Sequence, residues 1–176
     1  MNSFQDLLIN RRSIRKYLAK SIEPEKISLI TKAALMSPAS KRSNPWEFIL
    51  IQNKETLQKL SESRIHGSQF LAEAPLGIII TADTTKSDVW MEDASIAGII
   101  MQLQVQELGL GSCWIQIYAR QKSEEISSES YIRDLISIPS HYAVLSIISI
   151  GYPNEDRKPY DESKLAVDKI HFEVFK

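Results

Sequence analysis

The sequence predicts a mixed α/β or α+β domain in which helices cover a sheet. Three observations predict it. Helical and strand patterns alternate along the chain in the order α-α-β-α-β-α-β-α-β, with an extra strand near the C-terminus. The strand candidates are short apolar runs rich in β-branched residues, which read as buried strands. No glycine-rich loop follows the first strand, so a strictly doubly wound nucleotide-binding sheet is disfavoured.

The elements follow in order. Residues 3–10 form a short helix: Ser3 is placed to cap it, Asp6 stands three residues on, and Phe4, Leu7 and Leu8 share a face. Pro24 opens a second helix that runs to Met36, with Ile27, Ile30, Ala34 and Leu35 as its apolar stripe, and Ser37-Pro38 ends it. Trp46–Gln52 is a strand, and Asn53 caps a helix over Lys54–Ser63. Ala74-Pro75 leads into the strand Leu76–Ala82. Trp90–Leu108 is a long helix that is apolar nearly all round, so it needs cover on most sides, and a subunit interface is one natural cover. Gly109 stops it. Ser112–Tyr118 is a strand, Ser123–Ser137 a more polar helix capped by Ser123, and Ala143–Ile150 a buried strand. The tail is irregular up to a last strand at His171–Phe175.

Size and composition bound what this chain can be. A chain of 176 residues is expected to be one domain spanning 1–176 with a core of its own. Hydrophobic residues are 43% and charged residues 24%, which excludes a disordered chain. A net charge of −1 excludes a strongly basic nucleic-acid binder, although not a local basic patch. The single cysteine, Cys113, excludes a disulfide framework and a CxxC metal site, and the three histidines have no metal-ligand spacing. No apolar run is long enough for a transmembrane helix, and the N-terminus lacks the apolar core of a signal peptide, so the expected location is the cytoplasm.

Positive charge is unevenly spread. Half of the residues from Arg11 to Lys20 are basic, and no acid occurs between Asp6 and Glu23. A second pair, Lys41-Arg42, follows Ser40, and a third group, Arg157, Lys158 and Lys164, lies in the tail. A solvated basic surface is the simplest reading of any one cluster. The chemistry of Arg11-Arg12-Ser13-Ile14-Arg15 argues for more. Arginine offers a planar fork matched to phosphate, and in an extended segment Arg11, Ser13 and Arg15 face one side while Ile14 faces the other. That makes a phosphate or nucleotide cradle, although the chain has no P-loop. Tyr17 is the only aromatic beside it, so it lacks the stacking platform of a nucleic-acid stripe.

At these residues the sequence resembles the FMN-dependent nitroreductase family over nearly its whole length. Four motifs carry the resemblance, in the family's order. Arg11–Arg15 is similar to its N-terminal RRSxR element, and Ser37–Trp46 to its proline-rich segment ending in Trp. Trp90–Trp114 is similar to its central helix followed by GLGSCW, and Ile150–Pro153 with Lys164 to its GYP ending. Each motif alone is weak; four in order are specific. Arg42 stands where many members carry Asn, Asn44 where Gln is common, and Ala39 where Ser is common.

The resemblance implies an α+β fold with a mixed, mainly antiparallel sheet, and a homodimer holding FMN in its interface. It implies that Arg11, Arg12 and Ser13 hold the FMN phosphate and ribityl chain, and that Arg15 lies at the pyrimidine end of the ring. Pro38, Ala39, Ser40 and Arg42 of the other subunit would line the ring, Gln116 and Ile117 would sit near flavin N5, and Lys164 would close the phosphate site. The implied activity is ping-pong oxidation of NADH or NADPH with two-electron reduction of nitroaromatics, quinones or similar acceptors. The alternatives are reductive dehalogenation or flavin breakdown on the same scaffold, or a non-catalytic module that binds FMN or another anion. No catalytic side chain and no metal are expected, because the flavin carries the chemistry.

Other residues have plainer readings. Cys113 opens an apolar strand with no histidine beside it in sequence, so it reads as an inert buried thiol. Trp114 serves as core as readily as pocket wall, whereas Trp46 reads as core. Asp93, set among Met91, Ala94 and Ile96, needs a partner or water and reads as structural.

Overall fold

The computed structural model describes residues 3–175. Among the described residues there are five α-helices: α1 (Phe4–Asn10), α2 (Pro24–Leu35), α3 (Lys54–Ser61), α4 (Trp90–Glu107) and α5 (Ser128–Ile136). Four strands, β1 (Trp46–Ile51), β2 (Leu76–Asp83), β3 (Gly111–Gln116) and β4 (Tyr142–Gly151), form one sheet in the order β1-β2-β4-β3. Every pairing between them is antiparallel, so the fold is α+β.

The helix starts follow local chemistry. Ser3 and Asp6 close a reciprocal capping box on α1, Asn53 accepts the Thr56 N–H at the start of α3, and Pro24 takes the first turn of α2, where its missing N–H costs nothing. α5 begins later than the sequence suggests. Its cap is Ser127, whose hydroxyl accepts the Ser130 N–H, while Ser123 caps only a tight turn at Ile126.

The two inner strands are buried along almost their whole length because both faces of the sheet are covered. On one face Leu76, Ile78, Ile80, Ile148 and Ile150 pack with α2 and α4; on the other Ile79, Ile147, Val144 and Ile115 pack with α3, α5, Ile14 and Tyr17. Burying such side chains supplies most of the folding free energy, on the order of 2 kcal/mol each.

α4 meets the expectation of its sequence only in part. Ala94, Ala97, Met101 and Val105 are sealed, whereas Ile96 and Ile99 remain about 40% exposed. Beside them Phe4, Leu7, Ala33, Met36, Ile100 and Leu103 line an apolar trough between α1, α2 and α4.

The tail departs from expectation. Residues 171–175 form no strand, and Leu165, Val167, Ile170, Phe172, Val174 and Phe175 are all more than half exposed. Their alternation is strand-like, but no neighbouring strand lies there to accept its hydrogen bonds. Among the described residues no helix is long and apolar enough to cross a membrane.

Candidate functional site

The basic segment 11–17 runs extended along the outer edge of β3 and the end of β4. Ser13 bridges Ser112 in parallel register and Tyr17 bridges Pro153. The Ile14 N–H donates to the Ser112 carbonyl (3.0 Å), and the Tyr17 hydroxyl bonds the Ile14 carbonyl (2.6 Å) and Ser149 Oγ (2.7 Å). Two glycines permit this close approach. A Cβ on Gly111 would fall 2.7 Å from the Ile14 side chain, and one on Gly151 would fall 2.7 Å from Tyr17 and Pro75. The sheet edge is covered by chain whose alternate side chains remain free.

Ile14 is buried where the alternation expects it, whereas Tyr17, in step with Arg15, is buried as well. Arg11, Ser13 and Arg15 instead act together on the Cys113 thiol: burial raises its pKa, and Arg15, a hydrogen bond with Ser13 and Arg11 work against that rise. Among the described residues neither the Arg11 nor the Arg15 guanidinium has a carboxylate partner, so both retain their hydrogen-bond donors for an anion. Arg12 departs from this group. It lies over the Tyr160 ring (4.7 Å) and donates to the Lys158 carbonyl (2.6 Å), which holds the tail against the segment.

A recess of about 500 Å³ adjoins Arg15 and is lined by Lys16, Gln69, Phe70, Glu73, Glu155 and Arg157. Glu155 organises it. Its carboxylate accepts the Arg15 and Lys16 N–H groups (2.5 and 3.2 Å) and pairs with Arg157 at 2.6 Å. Burial acts to raise the Glu155 pKa, but the two amides and Arg157 outweigh it, so the group is held below the usual carboxylate value. Glu155 and Phe70 do not stand out in the sequence. Of the two, Glu155 carries one signal, its place two residues after Pro153 amid basic residues.

The remaining candidates lie elsewhere. Gln116 ends β3; its Oε1 accepts the Trp114 indole N–H (2.9 Å) and its amide nitrogen donates to the Tyr118 carbonyl. Ile117 is fully buried, and its N–H already donates to the Leu145 carbonyl. Lys164 projects from the tail, 81% exposed, and pairs with Asp161. It is Arg157 that reaches the Arg15 recess.

Pro38, Ala39, Ser40 and Arg42 gather at the start of α4. Buried Asp93 anchors them: it accepts the Ser40 N–H (2.8 Å) and the Ser87 hydroxyl (2.9 Å). The partner that its position demanded is thus a loop. Lys41, Arg42 and Asn44 all adopt left-handed backbone with φ of 52°, 55° and 42°, a costly run outside glycine that the anchoring sustains.

These two basic groups are kept apart within one chain. Asp93 holds the 38–42 loop, whereas Gln102 donates to Ser112 Oγ (3.2 Å) beside the 11–15 segment. Nine residues of helix separate these anchors by about 14 Å along the axis and about half a turn around it. Among the described residues no cluster of His, Cys, Asp and Glu could hold a metal.

The Nitroreductase family sequence profile matches residues 8–66 and 63–152. The solved structure of an FMN-dependent nitroreductase from Clostridium difficile R20291 is 50% identical, with a TM-score of 0.95 over 96% of this chain and 98% of that one. A protein of Archaeoglobus fulgidus, provisionally named an NADH dehydrogenase/NAD(P)H nitroreductase, is 34% identical over 172 residues, 95% of each chain. An FMN reductase [NAD(P)H] of Bacillus subtilis is 26% identical over 87% of this chain and 67% of its own length.

Proposed function

Because the chain belongs to the nitroreductase family, we propose that it is an FMN-dependent NAD(P)H oxidoreductase whose flavin site is completed by a second copy of itself. One observation carries this reading: Arg11, Ser13 and Arg15 lie together around Cys113 on the segment that lines the edge of β3, and neither guanidinium has a carboxylate partner among the described residues. A phosphate bearing close to two negative charges matches that donor set. Bound FMN would supply a two-electron carrier that takes hydride at N5 and returns it to an acceptor.

The residues then divide the work. Arg11 and Ser13 hold the phosphate and ribityl chain, and Arg12, bonded to the Lys158 carbonyl, holds the tail beside them. Arg15, fixed through its backbone by Glu155, faces the pyrimidine end of the ring, where a cation favours the reduced form. Gln116 stands toward the ring centre. Pro38, Ala39, Ser40 and Arg42 reach the ring from the partner copy. The half turn on α4 between Asp93 and Gln102, which stand beside the two groups, supports that split, as do the exposed Ile96, Ile99 and tail side chains, which another chain would cover. Donor and acceptor use the open face in turn, a ping-pong cycle with nitroaromatics or quinones as acceptors and no obligatory side-chain acid or base. A reducing cytoplasm suits its one buried thiol.

The test is direct. The purified protein, reconstituted with FMN, is expected to be yellow, to bleach with NAD(P)H and to regain colour with an acceptor. The double variant Arg11→Ala/Arg15→Ala is expected to lose FMN. Unchanged FMN affinity in that variant refutes the cradle, and colour that resists reductant refutes the enzyme.

A further inference from the structure

A second pair of unpartnered arginines lies outside this cradle. Arg64 and Arg120 line a recess of about 230 Å³ together with Ile65, His66 and Gln121. Among the described residues neither forms an ion pair. The two guanidinium groups stand close enough to interact: burial lowers the Arg64 pKa, and the charge of Arg120 lowers it further.

Both arginines are mounted on rigid backbone. The Ile65 N–H donates to the Gln121 carbonyl (3.2 Å), which ties the two loops together. Gln69 pins the first loop from within: its Oε1 accepts the Gly67 and Ser68 N–H groups, and its Nε2 donates to the Arg64 and Ile65 carbonyls. The Arg64 guanidinium lies over Gly67, where an added Cβ would stand 3.6 Å from Nη1. On the second loop, the Arg120 N–H donates to Ile117 and its carbonyl accepts from Ser128. Ala119, next to it, has a left-handed φ of 55°. Strained non-glycine backbone of this kind persists only where its surroundings over-determine it, and it gathers at ligand sites.

Like charges fixed side by side repel, and an anion between them offsets that repulsion. Arginine forks select a planar or tetrahedral oxyanion, phosphate above all. The recess also neighbours the flavin cradle, since Gln69, which holds the Arg64 loop, lines the Arg15 recess as well.

We propose that Arg64 and Arg120 form an anion site that receives a phosphate group of the pyridine nucleotide donor. The proposal rests on the oxidoreductase reading above. The phosphate has two sources, the diphosphate common to NADH and NADPH or the 2′-phosphate that NADPH alone carries.

The experiment uses full-length protein saturated with FMN, so that the Arg11–Arg15 cluster is occupied, and the variants Arg64→Gln, Arg120→Gln and Arg64→Lys. Calorimetric titration with pyrophosphate and with adenosine 2′,5′-bisphosphate reads the site without turnover. Affinity for at least one probe is expected to fall tenfold or more in each Gln variant, as for the loss of a charge-assisted contact, and to recover in part in Arg64→Lys. Steady-state kinetics separate the sources. KM rises at unchanged kcat for NADPH alone if the 2′-phosphate binds, and for both donors alike if the diphosphate binds. Probe affinities unchanged in both Gln variants, no binding of either probe to wild type, or kcat falling with KM constant overturns the proposal. A wild-type protein that takes up no FMN overturns the oxidoreductase reading instead, and the probe titrations then still decide whether the arginine pair binds anions.

Discussion

Replacing Gly98 by Ala in the middle of α4 sets two effects of opposite sign against each other. Helix propensity favours Ala over Gly by about 1 kcal/mol at an interior position. Packing opposes it. The new Cβ would lie 2.5 Å from Cζ3 of Trp114 and 3.2 Å from Cδ1 of Ile80. Ile80 is fully buried, so its terminal methyl has little room to give, and the Trp114 ring is held by its N–H bond to Gln116. Overpacking of this kind costs about 1–3 kcal/mol, and loss of the indole hydrogen bond adds about 1 kcal/mol. Packing therefore wins, by about 2 kcal/mol. At this chain length that lowers Tm by roughly 4–8 °C. Thermal unfolding followed by circular dichroism at one fixed protein concentration measures it. The background variant Trp114→Leu isolates the cause: once the ring is gone, Gly98→Ala should become neutral or stabilising, a coupling that the double-mutant cycle reads out. A more stable Gly98→Ala in the native background, or an equal loss in both backgrounds, would refute the reasoning.

Three further outcomes follow from the same structure. Asp93→Ala leaves the Ser40 N–H and Ser87 hydroxyl without their acceptor and should cost about 2–4 kcal/mol in denaturant unfolding, with faster proteolysis at the 40–44 loop that it anchors. Glu23 is pulled down to about 2 by its Tyr152 hydrogen bond first and by its own backbone and Lys20 after that. Its contribution is complete above the unfolded value near 4.5 and disappears as the pH falls toward 2, so Glu23→Gln should show a shallower acid limb than wild type in a pH series of unfolding midpoints. Ile99→Lys charges the exposed stripe of α4; light scattering should show a dimer for the native chain and a monomer for the variant, and a native monomer would remove the shared-site reading.

Much of this architecture was legible in the sequence because it is local. Ser3 with Asp6, Asn53 and Pro24 mark their helices through hydrogen bonds within one turn. The alternation of Arg11, Ser13 and Arg15 needed only an extended backbone. What could not be read is non-local. Ser123 suits a cap by residue type, but Ser127 takes that place, beside the Ser128 N–H bond to the Arg120 carbonyl. His171–Phe175 alternates like a strand but has none beside it. The strand runs of β2 and β4 are continuous because helices cover both faces, which masked their antiparallel pairing. Glu155 owes its place to a contact across the fold, 140 residues from Arg15 in sequence.

The sealed thiol of Cys113 turns the molecule into its own gauge of opening. With one thiol, 2% accessible and its pKa raised by burial, alkylation waits for the 11–17 segment to lift from the sheet edge. The rate of labelling under native conditions therefore clocks that lifting. Whatever settles on Arg11, Ser13 and Arg15 should slow the clock, so a mass spectrometer can weigh occupancy of the cradle with no coloured ligand and no turnover at all.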